Sequence, residues 1–76
     1  MQIVVHRWRS HDRWIINPAG TLRYNRLKLL GSIERVPGKI RPVVVHIRDR
    51  RDLGITGVER SFDTYREAEA FAHSYF

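Results

Sequence analysis

Ser61-Phe62-Asp63-Thr64-Tyr65-Arg66-Glu67-Ala68-Glu69-Ala70-Phe71-Ala72-His73-Ser74-Tyr75-Phe76 is the stretch whose reading decides the fold. Thr64 with Glu67 three places on is a capping-box signature. The threonine oxygen takes the N–H of the third helical residue, and the glutamate reaches back to the cap's own N–H. Beyond it Tyr65, Ala68, Phe71, Ala72, Tyr75 and Phe76 recur at helical spacing, with Arg66, Glu67, Glu69 and His73 on the other side. A helix of about twelve residues is marginal alone in water, so the apolar stripe must lie on another layer. Ala68 and Ala72, small between aromatics, let the helix approach a sheet closely.

Upstream the chain reads as strands. Residues 2–8 alternate, with Val4, His6 and Trp8 on one side and Ile3, Val5 and Arg7 on the other, as in an inner strand partly buried on both faces. After a polar turn at residues 9–12, residues 13–17 form a second strand. Asn17-Pro18-Ala19-Gly20 is a tight turn with Pro at its second place and Gly at its fourth. Residues 21–31 read narrowly as a strand with a bulge near Asn25; the alternative is a helix capped by Asn17 and closed by Gly31. Val36-Pro37-Gly38-Lys39 has a type II turn signature and joins residues 32–36 to a strand over 40–48, whose Pro42 needs an edge or a bulge. A charged loop over 49–54 and a last strand over 55–62 lead into the helix. The expected fold is α+β: an antiparallel sheet of about four to six strands with one C-terminal helix packed on one face, in a single domain spanning 1–76.

The charge of +6 comes from fourteen basic residues against eight acids. It is uneven. Residues 1–33 hold Arg7, Arg9, Arg13, Arg23, Arg26 and Lys28 against Asp12 alone, whereas 34–76 hold eight bases and seven acids. Such a field points to an anionic partner, and arginine in place of lysine favours forked contacts to phosphate or carboxylate. A basic balance also serves solubility, which is the bland alternative. No cysteine is present, so no disulfide or thiolate metal site stabilises the fold. The first apolar run, Ile3-Val4-Val5, is too short for a signal peptide or a membrane span. A soluble cytoplasmic protein is expected, with no membrane contact.

Catalytic groups are sparse. His11-Asp12 lacks the further ligands a metal needs. Ser10, Ser61 and Ser74 have no histidine at an activating spacing, and no glycine-rich phosphate loop occurs. No enzymatic activity, cofactor or metal is expected. For binding, Trp8, Arg9, Arg13 and Trp14 gather around one turn with Arg7 beside them, and Arg23, Arg26 and Lys28 extend the basic face. Indoles and guanidinium groups dominate interface hot spots and stack on single-stranded bases. The same two indoles also suit a small core under the helix, leaving the arginines as a solvated rim.

Glu59-Arg60-Ser61-Phe62-Asp63-Thr64 with Glu67, Ala68 and Glu69 behind it resembles the last strand and helix of the arm-type DNA-binding domains of phage tyrosine integrases. That resemblance implies a sheet that enters a DNA groove with the helix bracing its back. Residues 33–39 and 60–67 are similar to the strand, turn, strand and helix start of small phage-encoded anti-CRISPR proteins of sheet-plus-helix build. It implies a non-enzymatic inhibitor of a nucleic-acid-handling complex, such as a CRISPR effector. Each resemblance covers less than half of the chain. The leading expectation is therefore a phage or mobile-element accessory protein that grips an acidic protein surface or a nucleoprotein complex through its aromatic–arginine surface, with homodimerisation compatible. A stand-alone DNA- or RNA-binding module comes second and a small ribonuclease toxin third.

Overall fold

Five alternating or β-branched runs form β1 (Ile3–Arg7), β2 (Arg13–Pro18), β3 (Gly31–Arg35), β4 (Val43–Ile47) and β5 (Val58–Phe62), and the last stretch forms α1 (Tyr65–Tyr75). The computed structural model describes residues 1–8, 12–23 and 25–76. The expected turn at Arg9–Asp12 therefore lies mostly outside the described residues, as does Tyr24. The sheet is an antiparallel meander in the order β1-β2-β3-β4-β5. Read as an inner strand from its alternation, β1 is instead an edge of the sheet, pairing among the described residues with β2 alone.

One face of the sheet is closed by α1, which packs over β3, β4 and β5. Ala68 and Ala72 are fully buried against Ile16, Leu30, Ile33, Val43 and Val45, so the two alanines do set the close approach. Phe71 lies against Phe62 and Tyr75, and the Arg60 guanidinium stands 5.5 Å over the Phe71 ring. At the helix start the Thr64 hydroxyl oxygen accepts the Glu67 N–H at 3.2 Å. The reciprocal half differs from expectation: the Glu67 carboxylate accepts the Thr64 hydroxyl at 3.0 Å.

Residues 21–31 are neither strand nor α-helix. They run as irregular chain through a 3₁₀ turn at Arg26–Lys28 capped by Asn25. Asn17 explains why. Its side chain is fully buried and holds Asn25 at both ends, donating to its carbonyl (3.0 Å) and accepting its N–H (3.2 Å). A buried amide left unpaired is costly, so this double bond fixes the loop in place of a ladder. The bulge expected near Asn25 sits later, at Leu30–Gly31: the Leu30 N–H bonds to the Ile16 carbonyl, although Ile16 lies opposite Gly31. Two residues facing one turn Leu30 into the core and leave Leu29 to the other side. The turn after β2 is shifted by one, closing Thr21 N–H onto Pro18 with Gly20 at φ +94° in the third place. The Pro37-Gly38 turn is as expected, Gly38 having φ +86°. β4 begins only after Pro42, which cannot donate to the ladder, and so Ile40 stays outside at 98% exposure.

Trp14 meets Tyr65 with ring centroids 4.4 Å apart, tying β2 to the start of α1. Burial first and the Glu69 charge second push the Tyr65 phenol up to about 12. The folded chain thus holds that proton more tightly than the unfolded one, where a tyrosine titrates near 10. Stability should be level below about pH 10 and fall as the pH rises from there toward 12. Urea midpoints at about pH 8 and about pH 11 test this, because Tyr65→Phe should remove part of the alkaline loss. An equal loss in both proteins would exclude Tyr65 as its source.

Candidate nucleic-acid interface

Side chains alternate across the sheet, so each strand sends half of its residues to the face that α1 does not cover. The register sets His6, Ile15, Ser32, His46 and Glu59 in one row across five strands. The neighbouring row starts with Trp8, whose N–H donates to the Arg13 carbonyl at 2.8 Å, and continues through Glu34, Val44 and Ser61. Between these rows and Leu29 opens a cleft of about 310 Å³ lined by Trp8, Arg13, Ile15, Leu29, Ser32, His46 and Arg48, with Gly31 in its wall. Ile15 is a buried apolar floor. Arg13 and Arg48 are exposed and make no ion pair among the described residues.

His46 Nδ1 is 3.0 Å from the Glu59 carboxylate of the neighbouring strand. Ser32 is its cross-strand neighbour on the other side. Among the described residues no hydrogen bond joins Ser32 to His46, so this Ser–His–Glu row lacks the contact that would activate a nucleophile. No group of three or more His, Cys, Asp or Glu among the described residues can hold a metal ion. The cleft presents a flat indole, two guanidinium forks, an imidazole and a hydroxyl around an apolar floor.

The expected cluster is distributed as follows. Trp8 and Arg13 share the open face. Trp14 lies on the other face, in the core side with Tyr65, and Arg7, its register partner, is exposed beside it. Arg9 lies outside the described residues. Arg23, Arg26 and Lys28 are exposed on the β2–β3 loop, whose end, Leu29, forms a lip of the cleft. β2, six residues long, separates that loop from Trp8 by roughly 17 Å. On the same loop Leu22 and Leu27 are 95% and 89% exposed. Arg50 braces it: its guanidinium reaches the Leu29 carbonyl at 3.3 Å while holding Asp52 at 2.7 and 3.0 Å. Those bonds from Arg50 keep the Asp52 carboxyl below its usual range. Asp12 is spent on Arg35 at 3.5 Å, which accounts for one half of the His11-Asp12 dipeptide.

Sequence reasoning missed Arg48 and His46. Arg48 begins a run of alternating charges and reads as part of a self-compensating loop. Only the strand parity, with Arg48 two residues after His46, could have placed it on the same face. No helix among the described residues is long and apolar enough to cross a membrane. Compared with known protein families, curated proteins and solved structures, the chain matches none.

Proposed function

We propose that this chain is a non-enzymatic module that binds single-stranded nucleic acid across the sheet face opposite α1. The observation that carries the reading is the cleft in which Trp8 stands beside Arg13 and opposite Arg48 over the Ile15 floor. A base stacks on an aromatic face and loses little by being A, C, G or U, so such binding tolerates sequence. Guanidinium groups on either side grip the flanking phosphates as forks. A strand leaving past Leu29 runs onto Arg23, Arg26 and Lys28, which carry no acidic neighbour on their loop. Duplex suits the site less well, because the cleft is narrow and its indole needs an unstacked base.

The test is fluorescence anisotropy with labelled oligo-dT and oligo-U against a duplex of the same length. Single strands should bind more tightly, with log affinity falling against log salt by about 0.7 per phosphate contact. Trp8→Ala should weaken single-strand binding by about 5- to 150-fold, the equivalent of roughly 1–3 kcal/mol per stacked base. Binding that Trp8→Ala leaves unchanged would remove the cleft from the account.

A second reading rests on Leu22 and Leu27. Two exposed leucines on one loop, Leu22 beside Arg23 and Leu27 between Arg26 and Lys28, suit an acidic protein surface with an apolar pocket, as an inhibitor of a nucleic-acid-handling complex would need. Such a protein would leave naked oligonucleotides unbound at all salt concentrations, so the same titration separates the two readings.

A further inference from the structure

We infer that two copies of this chain pair through β1, antiparallel and about a two-fold axis at Val5, into one continuous ten-stranded sheet. The direction of the main-chain groups leads to it. The Trp8 N–H donates to Arg13 (2.8 Å) and the Ala19 N–H to the Gln2 carbonyl (3.0 Å). In the register Ile3↔Pro18 to Arg7↔Trp14, hydrogen-bonded pairs alternate, so they fall on Gln2, Val4, His6 and Trp8. The N–H and C=O groups of Ile3, Val5 and Arg7 therefore point away from β2, off the edge of the sheet.

The two edges differ. β5 carries Glu59 and Arg60 at its middle, and charge on an edge is a common guard against pairing. β1 is free of formal charge from Ile3 to His6, and has no proline or glycine. Its core-side surface is also incompletely covered. α1 reaches over β3, β4 and β5, and Val5 and Trp14 on the same side stay half-buried. An isologous pairing centred on Val5 sets Val5 against the partner copy's Val5 and Ile3 against its Arg7, each pair exchanging both main-chain bonds. No like charges meet. The apolar layer runs on through Val5 and Ile3 of both copies, and the two open faces join, with a cleft in each. The pairing uses both copies' β1 edges, so it closes at two.

A chain without cysteine makes the test direct. In this register the two Val5 Cα atoms lie about 5.5 Å apart, within disulfide reach. Val5→Cys should form a covalent dimer under mild oxidation. Val4→Cys should not, since Val4 faces the partner copy's His6. Light scattering of the unaltered chain should give twice its 9.0 kDa, and no larger species. Val5 is half-buried, so a second measurement is made on the unaltered protein. The amides of Ile3, Val5 and Arg7 should be protected from hydrogen exchange, and that protection should fade on dilution. A single-chain mass at tens of micromolar, rapid exchange of those three amides at every concentration, or equal cross-linking of the two cysteine variants would each overturn the pairing.

Discussion

Gly31→Ala is expected to destabilise this protein as much as a large truncation in its core. A Cβ at Gly31 would run into the His46 carbonyl oxygen and stand 3.1 Å from Ile47 Cα and 3.2 Å from the His46 carbonyl carbon. Every one of these atoms is main chain. A clash with the end of a long side chain is relieved by a rotamer change, but β4 is held by β3 on one side and β5 on the other. Relief therefore requires opening the β3–β4 ladder at the point where the Arg48 N–H closes on Leu30. Overpacking alone is worth about 1–3 kcal/mol, and the lost ladder bonds add to it. Against a total stability of about 5–15 kcal/mol, a loss above roughly 3 kcal/mol would lower the melting temperature by more than about 12 °C. Ile33→Ala, at a fully buried site, is the comparison, with about 2–5 kcal/mol. Thermal and urea unfolding of the two variants decide the matter. A Gly31→Ala protein within about 1 kcal/mol of the parent would mean that β3 and β4 pack less closely there than described.

How far the sequence carries depends on which force sets each element. The helix was legible in full because three signals coincide in one stretch: the cap at Thr64, the 3.6-residue stripe and the Ala68/Ala72 pair. Strands β2 to β5 were legible from alternation and from Pro–Gly turns, with bounds adjusted where Pro42 delays β4 and where β5 starts at Val58 rather than Ile55, which only bridges to Arg50. Residues 21–31 were not, because their conformation is set from outside by one buried amide, Asn17, eight residues away from its partner Asn25. A polar residue in a strand gives no local sign that it will be buried and will capture a loop. Edge or centre is likewise undetermined by alternation, so β1 reads as an inner strand until the strand order is known. For the site, proximity in sequence misled. Trp8 and Trp14 are six residues apart, yet they sit on opposite faces, because Trp8 pairs with Arg13 and one further step along β2 turns the next side chain over. His46 and Arg48, far along the chain, line the same cleft as Trp8, and Trp14 does not.

Arg13→Gln with Arg48→Gln should lower single-strand affinity by about 100-fold or more while leaving the fold intact. Each guanidinium that meets a phosphate is worth about 1.5–3 kcal/mol, as a charge-assisted hydrogen bond, and two make the product. Both residues are exposed, so their loss should alter stability by less than about 0.5 kcal/mol. Glutamine is chosen because a glutamate at position 13 would sit opposite Glu34 in the ladder, and like charges across a strand pair are destabilising. Binding and folding effects would then be mixed. Removing two phosphate contacts should also flatten the log–log salt dependence by about 1.4, at about 0.7 each. Glu34→Gln supplies the opposite sign. That carboxylate lies in the same row as Trp8 and Arg13, and its removal takes a negative charge from the proposed path, so affinity should rise at low salt and converge with the parent at high salt. Trp8→Ala, by contrast, should weaken binding without altering the slope, since stacking releases no counterions. An anionic strand on this face must produce all three signs together. A double glutamine variant that keeps both its affinity and its slope would place the phosphates elsewhere, with Arg23, Arg26 and Lys28 of the β2–β3 loop as the next set to neutralise.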